Sequence, residues 1–252
     1  MDIKCMTDVG RVREINEDYC TYCKIGDGTD LIIVADGMGG HNAGEVASFI
    51  AITSVKDYVE KNYKEDIKAE DIPNIIKEAI LTANKDIYMQ SKNNASYSGM
   101  GTTIIAAIIK KGMVYIGHVG DSRAYVLIGS SLKKVTDDHS LVAELLRNGS
   151  ITEMEAVNHP QKNIITRALG TNEDVEVDLE TAEISTGDAV LLCTDGLSNM
   201  VCDNDIEEVL KNSSDAYDAV KKLTDMANEA GGHDNITVIV AKADSTDCEV
   251  RQ

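Results

Sequence analysis

Apolar residues recur along this 252-residue chain with two different spacings, and each spacing predicts one type of element. Between residues 43 and 63 they return every three or four positions, which is the helical period. A second run with this period begins around Pro73, a residue typical of a helix start. Short apolar runs indicate strands instead, and they occupy residues 31–35, 102–109, 113–119, 123–128, 189–194 and 236–241.

The order of these elements predicts the fold class. The three strand-like runs between residues 102 and 128 are joined by short turns, so we expect an antiparallel meander. Helical spacing returns at residues 141–147, 206–211 and 216–230, and Thr152 with Glu155 has the spacing of a capping box. Strands grouped with strands and helices with helices favour an α+β class, in which paired helices from each half of the chain cover antiparallel sheet.

Nothing in the composition divides the chain into separate domains. There are only two prolines and no low-complexity linker. We therefore expect a single domain over residues 1–244, followed by a C-terminal tail over residues 245–252. The apolar runs fall far short of the roughly 18 residues that a membrane span needs. Residues 1–5 also lack the basic start of a secretory signal, so we expect a cytoplasmic protein without membrane contact.

The charge of the chain excludes some partners. It carries 43 acidic and 24 basic residues, a formal net charge of −19, which repels nucleic acids and anionic membranes. This acidity fits a protein that is merely kept soluble as well as one that binds basic partners. Of the six cysteines, only Cys20 and Cys23 approach the spacing of zinc ligands, and no second pair matches them. We interpret all six as ordinary thiols.

Aspartates stand where the strand-like runs end. Asp36 and Asp195 each follow an apolar run directly, and Asp234 stands shortly before one. Because antiparallel neighbours bring such positions to one edge of a sheet, we expect these three carboxylates to lie close together. Further carboxylates that can reach the same edge are Asp121, Glu17 and Asp18.

Carboxylates gathered in one place raise one another's pKa, and a bound cation relieves the repulsion. Oxygen ligands suit Mg²⁺, Mn²⁺ and Ca²⁺, whereas zinc usually recruits histidine or cysteine. A calcium loop of the EF-hand type would place its ligands in one segment, but these aspartates are widely separated. A single Asp-Gly pair would indicate only a turn. The combination of several such pairs predicts a magnesium or manganese site.

Six short motifs resemble, in order, those of the metal-dependent protein phosphatases of type 2C, in the bacterial branch of that family. They are residues 10–18 (GRVREINED), 36–41 (DGMGGH), 99–103 (GMGTT), 120–123 (GDSR), 194–197 (TDGL) and 231–235 (GGHDN). The resemblance spans nearly the whole chain. It implies a four-layer αββα sandwich, with two central antiparallel β-sheets flanked by helix pairs and a small flap subdomain at about residues 139–170.

The resemblance also implies a set of metal ligands. Asp36 corresponds to the carboxylate that bridges two metal ions. The Gly37 carbonyl would bind one of these ions, and Asp195 with Asp234 the other. Asp121 together with Asp195 resembles a third metal site. The expected cofactors are therefore two core Mn²⁺ or Mg²⁺ ions and a third ion beside them.

Other positions resemble residues that act on water and substrate. Asp18, and with it Glu17, would hold metal-bound water from outside the ligand set. Arg13 resembles the arginine whose planar fork binds phosphate, and His41 the candidate general acid that protonates the leaving oxygen. Taken alone, Arg13 would indicate a surface ion pair with Glu14 or Glu17, and His41 a turn residue. Lys162 departs from the family pattern, because many bacterial relatives carry arginine there.

The activity implied by this resemblance is that of a metal-dependent protein serine/threonine phosphatase, in which metal-bound hydroxide attacks phosphoserine or phosphothreonine directly. Its partners would be phosphorylated proteins and a cognate serine/threonine kinase, and we take a monomer as the default. The alternative is a catalytically silent, phosphoprotein-binding regulatory module on the same fold. Such modules arise by loss of metal ligands, whereas every expected ligand position is filled here.

Overall fold

The computed structural model describes residues 1–39, 43–157 and 159–244, so the predicted tail lies outside the described residues. The strands in these ranges are β1 (Asp2–Asp8), β2 (Asp18–Gly26), β3 (Thr29–Met38), β4 (Gly101–Thr102), β5 (Ile104–Lys110), β6 (Met113–Val119), β7 (Arg123–Ile128), β8 (Ser131–Lys134), β9 (Asp178–Glu183), β10 (Ala189–Cys193) and β11 (Ile236–Lys242). The α-helices are α1 (Ala43–Asn62), α2 (Ile72–Asn93), α3 (Leu141–Arg147), α4 (Glu153–Val157), α5 (Asp195–Ser198), α6 (Asp203–Asn212) and α7 (Ala216–Glu229).

The strands form two antiparallel sheets that pack face to face. Sheet A has the order β1-β11-β10-β7-β8, and sheet B has the order β2-β3-β5-β6-β9 with β4 paired to the end of β3. Ile32 and Val34 of sheet B pack against Val190 and Leu192 of sheet A in the core between the sheets. Their neighbours along β3 point to the opposite face, where they are also buried. This double burial explains the uninterrupted apolar runs in the sequence.

Helices cover both outer faces of the sandwich. On sheet B, α1 packs against the other face of β3, and α2 packs against β5 and β6 with the helically spaced Ile72, Ile76 and Ile80. On sheet A, α6 and α7 pack in the same way. The four-layer αββα sandwich implied by the motifs is therefore confirmed. Within the described ranges, no helix combines the length and the apolar character that crossing a membrane requires.

The connection between β6 and β7 corrects the predicted meander. β5 and β6 pair within sheet B, but β7 pairs with β10 and β8 in sheet A. Residues 120–122 therefore cross from one sheet to the other instead of closing a hairpin. Gly120 has a φ of +116°, and a Cβ there would lie 2.5 Å from the Thr103 side chain, so the crossing requires glycine. It brings Asp121 to the end shared by the two sheets.

The segment predicted as a flap contains two short helices, α3 and α4. The capping box before α4 is confirmed: the Thr152 N–H donates to Glu155 Oε2 at 2.8 Å, and the Glu155 N–H donates to Thr152 Oγ1 at 3.4 Å. An isolated bridge between Ser140 and Ile165 joins the two sides of this segment. The boundaries of the flap and the single domain over residues 1–244 remain predictions.

Candidate metal centre

Asp36 lies near the end of β3, opposite Asp18 in the register of β2 and β3. The Asp36 N–H donates to Thr103 Oγ1 at 3.0 Å. Its carbonyl accepts from the Thr103 N–H at 2.9 Å and from Thr102 Oγ1 at 2.8 Å. Main-chain hydrogen bonds therefore position Asp36 without using its carboxylate oxygens, which stay available to a ligand.

Sheet A supplies the facing carboxylates. Asp195 follows β10 and opens α5, while Asp234 precedes β11, the neighbour of β10. A Cβ on Gly196 would lie 1.9 Å from the Asn235 carbonyl oxygen, so the two segments touch through their backbones. The charge of Asp195 raises the pKa of Asp36, so the two carboxylates lie near one another. The two sheets thus bring their predicted ligands together at one end of the sandwich.

These carboxylates favour protons when no cation is bound. Burial raises the pKa of Asp36 well above its usual range, and the neighbouring carboxylates raise it further. Burial likewise raises the pKa of Asp18 to about 7. For Asp195, burial and then the charge of Asp234 raise the pKa to about 6. The cluster therefore holds more negative charge than the chain itself neutralises.

The surroundings of Asp121 indicate whether the cluster can bind a cation. Its Oδ1 atom is buried and has no hydrogen-bond partner among the described residues. Burial, followed by the charge of Asp195, raises the pKa of Asp121 to about 7. Such an orphaned carboxylate oxygen needs a proton or a cation. Because the donors of the cluster are all oxygens, the residues fit a hard divalent cation better than zinc.

Gly37 is held by close backbone contacts. Its N–H donates to the Glu17 carbonyl at 3.2 Å, and a Cβ would lie 2.3 Å from the carbonyl oxygen of Gly44. The same Glu17 carbonyl accepts from Ser48 Oγ at 2.5 Å. Burial raises the pKa of the Glu17 carboxyl. Glu17 and Gly37 are therefore brought together at the cluster, where only glycine fits beside Asp36.

Arg13 lies at the rim of the cluster. Its Nη2 atom is 2.8 Å from Asp234 Oδ2, and the two side chains are 48% and 35% exposed. This partner differs from Glu14 and Glu17, the surface partners that the sequence suggests. The guanidinium therefore reaches the carboxylate cluster itself, where a phosphate group would also have to lie.

Asn235 holds the rim together, a role that the sequence motifs did not predict. Its Nδ2 donates to the carbonyls of Val9 and Ile15 at 3.0 and 2.9 Å. Its Oδ1 accepts from the Glu17 N–H at 2.9 Å. These bonds fasten the loop that carries Arg13 to the start of β11. The available signal was the position of Asn235 directly after a predicted ligand.

Thr194 is a second residue whose role the sequence motifs did not predict. Its Oγ1 donates to Asp18 Oδ2 at 2.8 Å and accepts from the Thr237 N–H at 3.0 Å. Asp18 is only 5% exposed, so this hydroxyl fixes a carboxylate that is largely shielded from bulk solvent. A threonine between a buried strand and Asp195 was the only sequence signal for this role.

The other predicted positions lie around the cluster or outside the described residues. His41 lies outside the described residues, so its role as a general acid remains a prediction. Lys162 lines a cavity of about 360 Å³ together with Asp121 and Asp195. The cavity lies between the cluster and the predicted flap, so it has access to two predicted metal ligands.

Comparisons with known proteins agree with this geometry. The sequence matches the family described as Protein phosphatase 2C over residues 10–240. It is 43% identical over 246 residues to the serine/threonine phosphatase stp of Listeria monocytogenes, covering 98% of this chain and 97% of that protein. The structure is similar to that of the serine/threonine phosphatase Stp1 from Staphylococcus aureus, with a TM-score of 0.91, 36% identity and coverage of 97% and 96%. It is also similar to the catalytic domain of the serine/threonine phosphatase PstP in complex with two manganese ions, with a TM-score of 0.84, 34% identity and coverage of 96% and 98%.

Proposed function

This chain is a metal-dependent protein serine/threonine phosphatase that belongs to the protein phosphatase 2C family, and we propose that its aspartate cluster holds two core Mn²⁺ or Mg²⁺ ions and a third ion. One observation carries this proposal: carboxylates from both sheets meet at one end of the sandwich, and burial and mutual repulsion raise their pKa values. The manganese ions in the PstP structure support the choice of metal.

The motifs imply the proposed ligands, and the positions of the donors support them. Asp36 would hold both core ions. The Gly37 carbonyl would bind one of these ions, and Asp195 with Asp234 the other. Asp121 and Asp195 would hold the third ion, a role supported by Asp121 Oδ1, which has no hydrogen-bond partner among the described residues. When bound, such cations act as Lewis acids that lower the pKa of a water molecule and stabilise charge on phosphate oxygens.

The residues around the ligands orient the reactants. In the proposed mechanism, Arg13 exchanges its contact with Asp234 for two phosphate oxygens, which its planar fork can bind together. Asp18, fixed by Thr194, accepts a hydrogen bond from the water molecule, and Glu17 supports the same water. His41 donates a proton to the departing serine or threonine oxygen.

The remaining parts of the proposal concern the setting of the enzyme. We place it in the cytoplasm, where the five described cysteines would remain free thiols, as they are in the structure. Its substrates are phosphorylated proteins, and we propose a cognate serine/threonine kinase that produces them as part of a signalling pair. We also propose that the enzyme acts as a monomer with one domain over residues 1–244.

Hydrolysis of a phosphothreonine peptide tests the proposed function. Purified protein should release phosphate with Mn²⁺, and a chelator should abolish the release. Asp36→Asn and Asp195→Asn should both be inactive at the same metal concentration. Asp57→Asn, which alters an exposed aspartate on α1, provides a matched control and should behave like the wild type.

Phosphate release measured together with phosphopeptide binding distinguishes the enzyme from the alternative, a silent binding module. A folded, Mn²⁺-loaded wild type that binds several phosphopeptides but releases no phosphate would contradict the enzyme and favour a silent binding module. Release that persists unchanged in Asp36→Asn would instead contradict the proposed ligand set.

A further inference from the structure

The imidazole of His139 is connected directly to the loop that carries Asp121. The Gly120 N–H donates to His139 Nδ1 at 3.0 Å, and this bond is buried. The backbone N–H of His139 in turn donates to the Gly120 carbonyl at 2.9 Å. Both polar backbone groups of Gly120 are thus bonded to one residue, which stands at the predicted start of the flap.

These bonds determine where the ring proton lies. Because Nδ1 accepts from Gly120, we assign the proton of the neutral ring to Nε2, which is 3.2 Å from Asp178 Oδ2. Arg167 Nη1 lies 2.5 Å from Asp178 Oδ1 and 3.1 Å from His139 Nε2. A protonated Nε2 cannot accept from Arg167, so both donors converge on the Asp178 carboxylate. That carboxylate therefore sets the orientation of the ring.

His118 packs against the face of the His139 ring. The two imidazoles stack with centroids 4.7 Å apart and an interplanar angle of 18°. His118 Nε2 donates a hydrogen bond to the Asp137 carbonyl at 3.0 Å. Ligand atoms of His118, His139 and Asp178 lie within 4.8 Å of one another, which is compatible with a metal site. However, both nitrogens of His139 are engaged, and the Arg167 guanidinium already neutralises Asp178. The group therefore supports the loop instead of binding a cation.

The other side of the loop is anchored to Asp36. Ser122 Oγ and Thr103 Oγ1 are hydrogen bonded at 2.8 Å, and Thr103 also bonds the backbone of Asp36. Asp121 is thus fixed through Gly120 on one side and through Ser122 on the other. Its own Oδ1 takes no part in this support.

We propose that His139 is a positioning residue that holds Asp121 in the geometry required by the third cation. The inference rests on the proposed function, because it assumes that Asp121 is a metal ligand. Loss of the Nδ1 acceptor would leave the buried Gly120 N–H without a partner and release one anchor of the loop. Removing a supporting partner of a metal ligand typically weakens metal binding by about 10- to 100-fold. We expect this loss at the third ion, which should be the most weakly bound of the three. The two core ions should bind normally.

Calorimetric titration of the chelator-treated full chain with Mn²⁺ tests the proposal without relying on hydrolysis. His139→Asn places an amide oxygen near the position of Nδ1, and binding of every ion should stay within about threefold of the wild type. His139→Gln places its amide near Nε2 instead, and the weakest ion should bind about 10- to 100-fold less tightly. Asp178→Asn, which is less disruptive, should weaken the same ion by a smaller factor. Asp57→Asn serves as the control.

The outcomes separate this inference from the proposed function. Normal binding in His139→Gln, or equal losses in His139→Asn and His139→Gln, would overturn the positioning role. If Asp121→Asn loses the weakest ion while His139→Gln keeps it, Asp121 is a ligand and only the inference about His139 fails. If Asp121→Asn binds every ion normally, the proposed third site is wrong, and the inference fails with it. Circular dichroism of each variant verifies the fold.

Discussion

The aspartate cluster has a deep part and a rim, and they neutralise negative charge differently. Deep in the cluster, Asp18 is 5% exposed, and the pKa values of Asp18 and Asp36 are raised by burial and by neighbouring carboxylates. At the rim, Asp234 is partly exposed and pairs with Arg13. At the rim, the Arg13 guanidinium therefore neutralises the carboxylate, because solvent and an arginine side chain can both reach Asp234. In the deep part, only a proton or a bound metal ion can compensate the charge.

Replacing the deep bridging carboxylate should have the largest effect. We expect Asp36→Asn to lower the rate of phosphothreonine peptide hydrolysis by about 10³-fold or more, because a neutral amide cannot hold two cations at the reacting phosphate. Steady-state kinetics over a range of Mn²⁺ concentrations measure the loss. A rate within tenfold of the wild type at saturating Mn²⁺ would contradict the bridging role.

Changing the rim arginine should have the next largest effect. Arg13→Lys keeps the charge but removes the planar fork, so kcat/KM should fall by about 10- to 100-fold, the value of one charged hydrogen bond. Most of this loss should appear in KM. Arg11→Lys, at an exposed position in the same loop, is the control. If Arg11→Lys and Arg13→Lys lower kcat/KM equally, Arg13 has no special role in binding phosphate.

Thr194 connects a deep carboxylate to the chain, and its removal should have a moderate effect. Thr194→Val loses the hydroxyl that donates to Asp18 at 2.8 Å, so kcat should fall by about tenfold. Thr194→Ser retains the hydroxyl and should restore most of the activity. Equal activity of the valine and serine variants would show that this hydrogen bond does not matter for turnover.

The deep carboxylates should also make stability depend on pH. In the folded chain the pKa values of Asp18 and Asp195 are about 7 and about 6, whereas an unfolded aspartate titrates near pH 4. Between these values the folded state binds more protons than the unfolded state, so its stability falls as the pH rises. We expect Tm in chelator to decrease between pH 5 and pH 8, by about 2–4 °C for each kcal/mol lost.

Bound metal should oppose this decrease of Tm with rising pH. Deprotonated carboxylates bind Mn²⁺ better, so saturating Mn²⁺ should raise Tm, and by more at pH 8 than at pH 5. Calorimetric scans with and without chelator provide both curves. A Tm in chelator that is constant or increases over this range would contradict the proposed charge imbalance.

Sequence patterns identified the buried strands and missed the exposed ones. Runs such as residues 31–35 are apolar on both sides because a second sheet and a helix layer cover them. β9, by contrast, is an edge strand with mostly exposed, polar side chains, so its sequence carries no strand signal. The crossing at residues 120–122 was also missed, because a short turn has the same local pattern whether it closes a hairpin or changes sheets.

For the site, the sequence indicated the residues but not their contacts. Asp36 and Asp195 were recognisable because each directly follows a buried apolar run. The ion pair between Arg13 and Asp234 depends on the hydrogen bonds that fasten the Arg13 loop to Asn235, and no local pattern predicts those bonds. The supporting roles of Asn235 and His139 depend on hydrogen bonds to residues distant in the sequence. Such contacts become visible only once both sheets are in place.

Electron paramagnetic resonance of the protein with about two equivalents of Mn²⁺ tests the central claim most directly, namely that the deep carboxylates hold adjacent cations. A carboxylate that bridges two Mn²⁺ ions couples their spins. The wild type should therefore show an exchange-coupled pair, and Asp36→Asn should show only isolated ions. An isolated-ion spectrum in the folded wild type, or coupling that persists unchanged in Asp36→Asn, would contradict a metal pair bridged by Asp36.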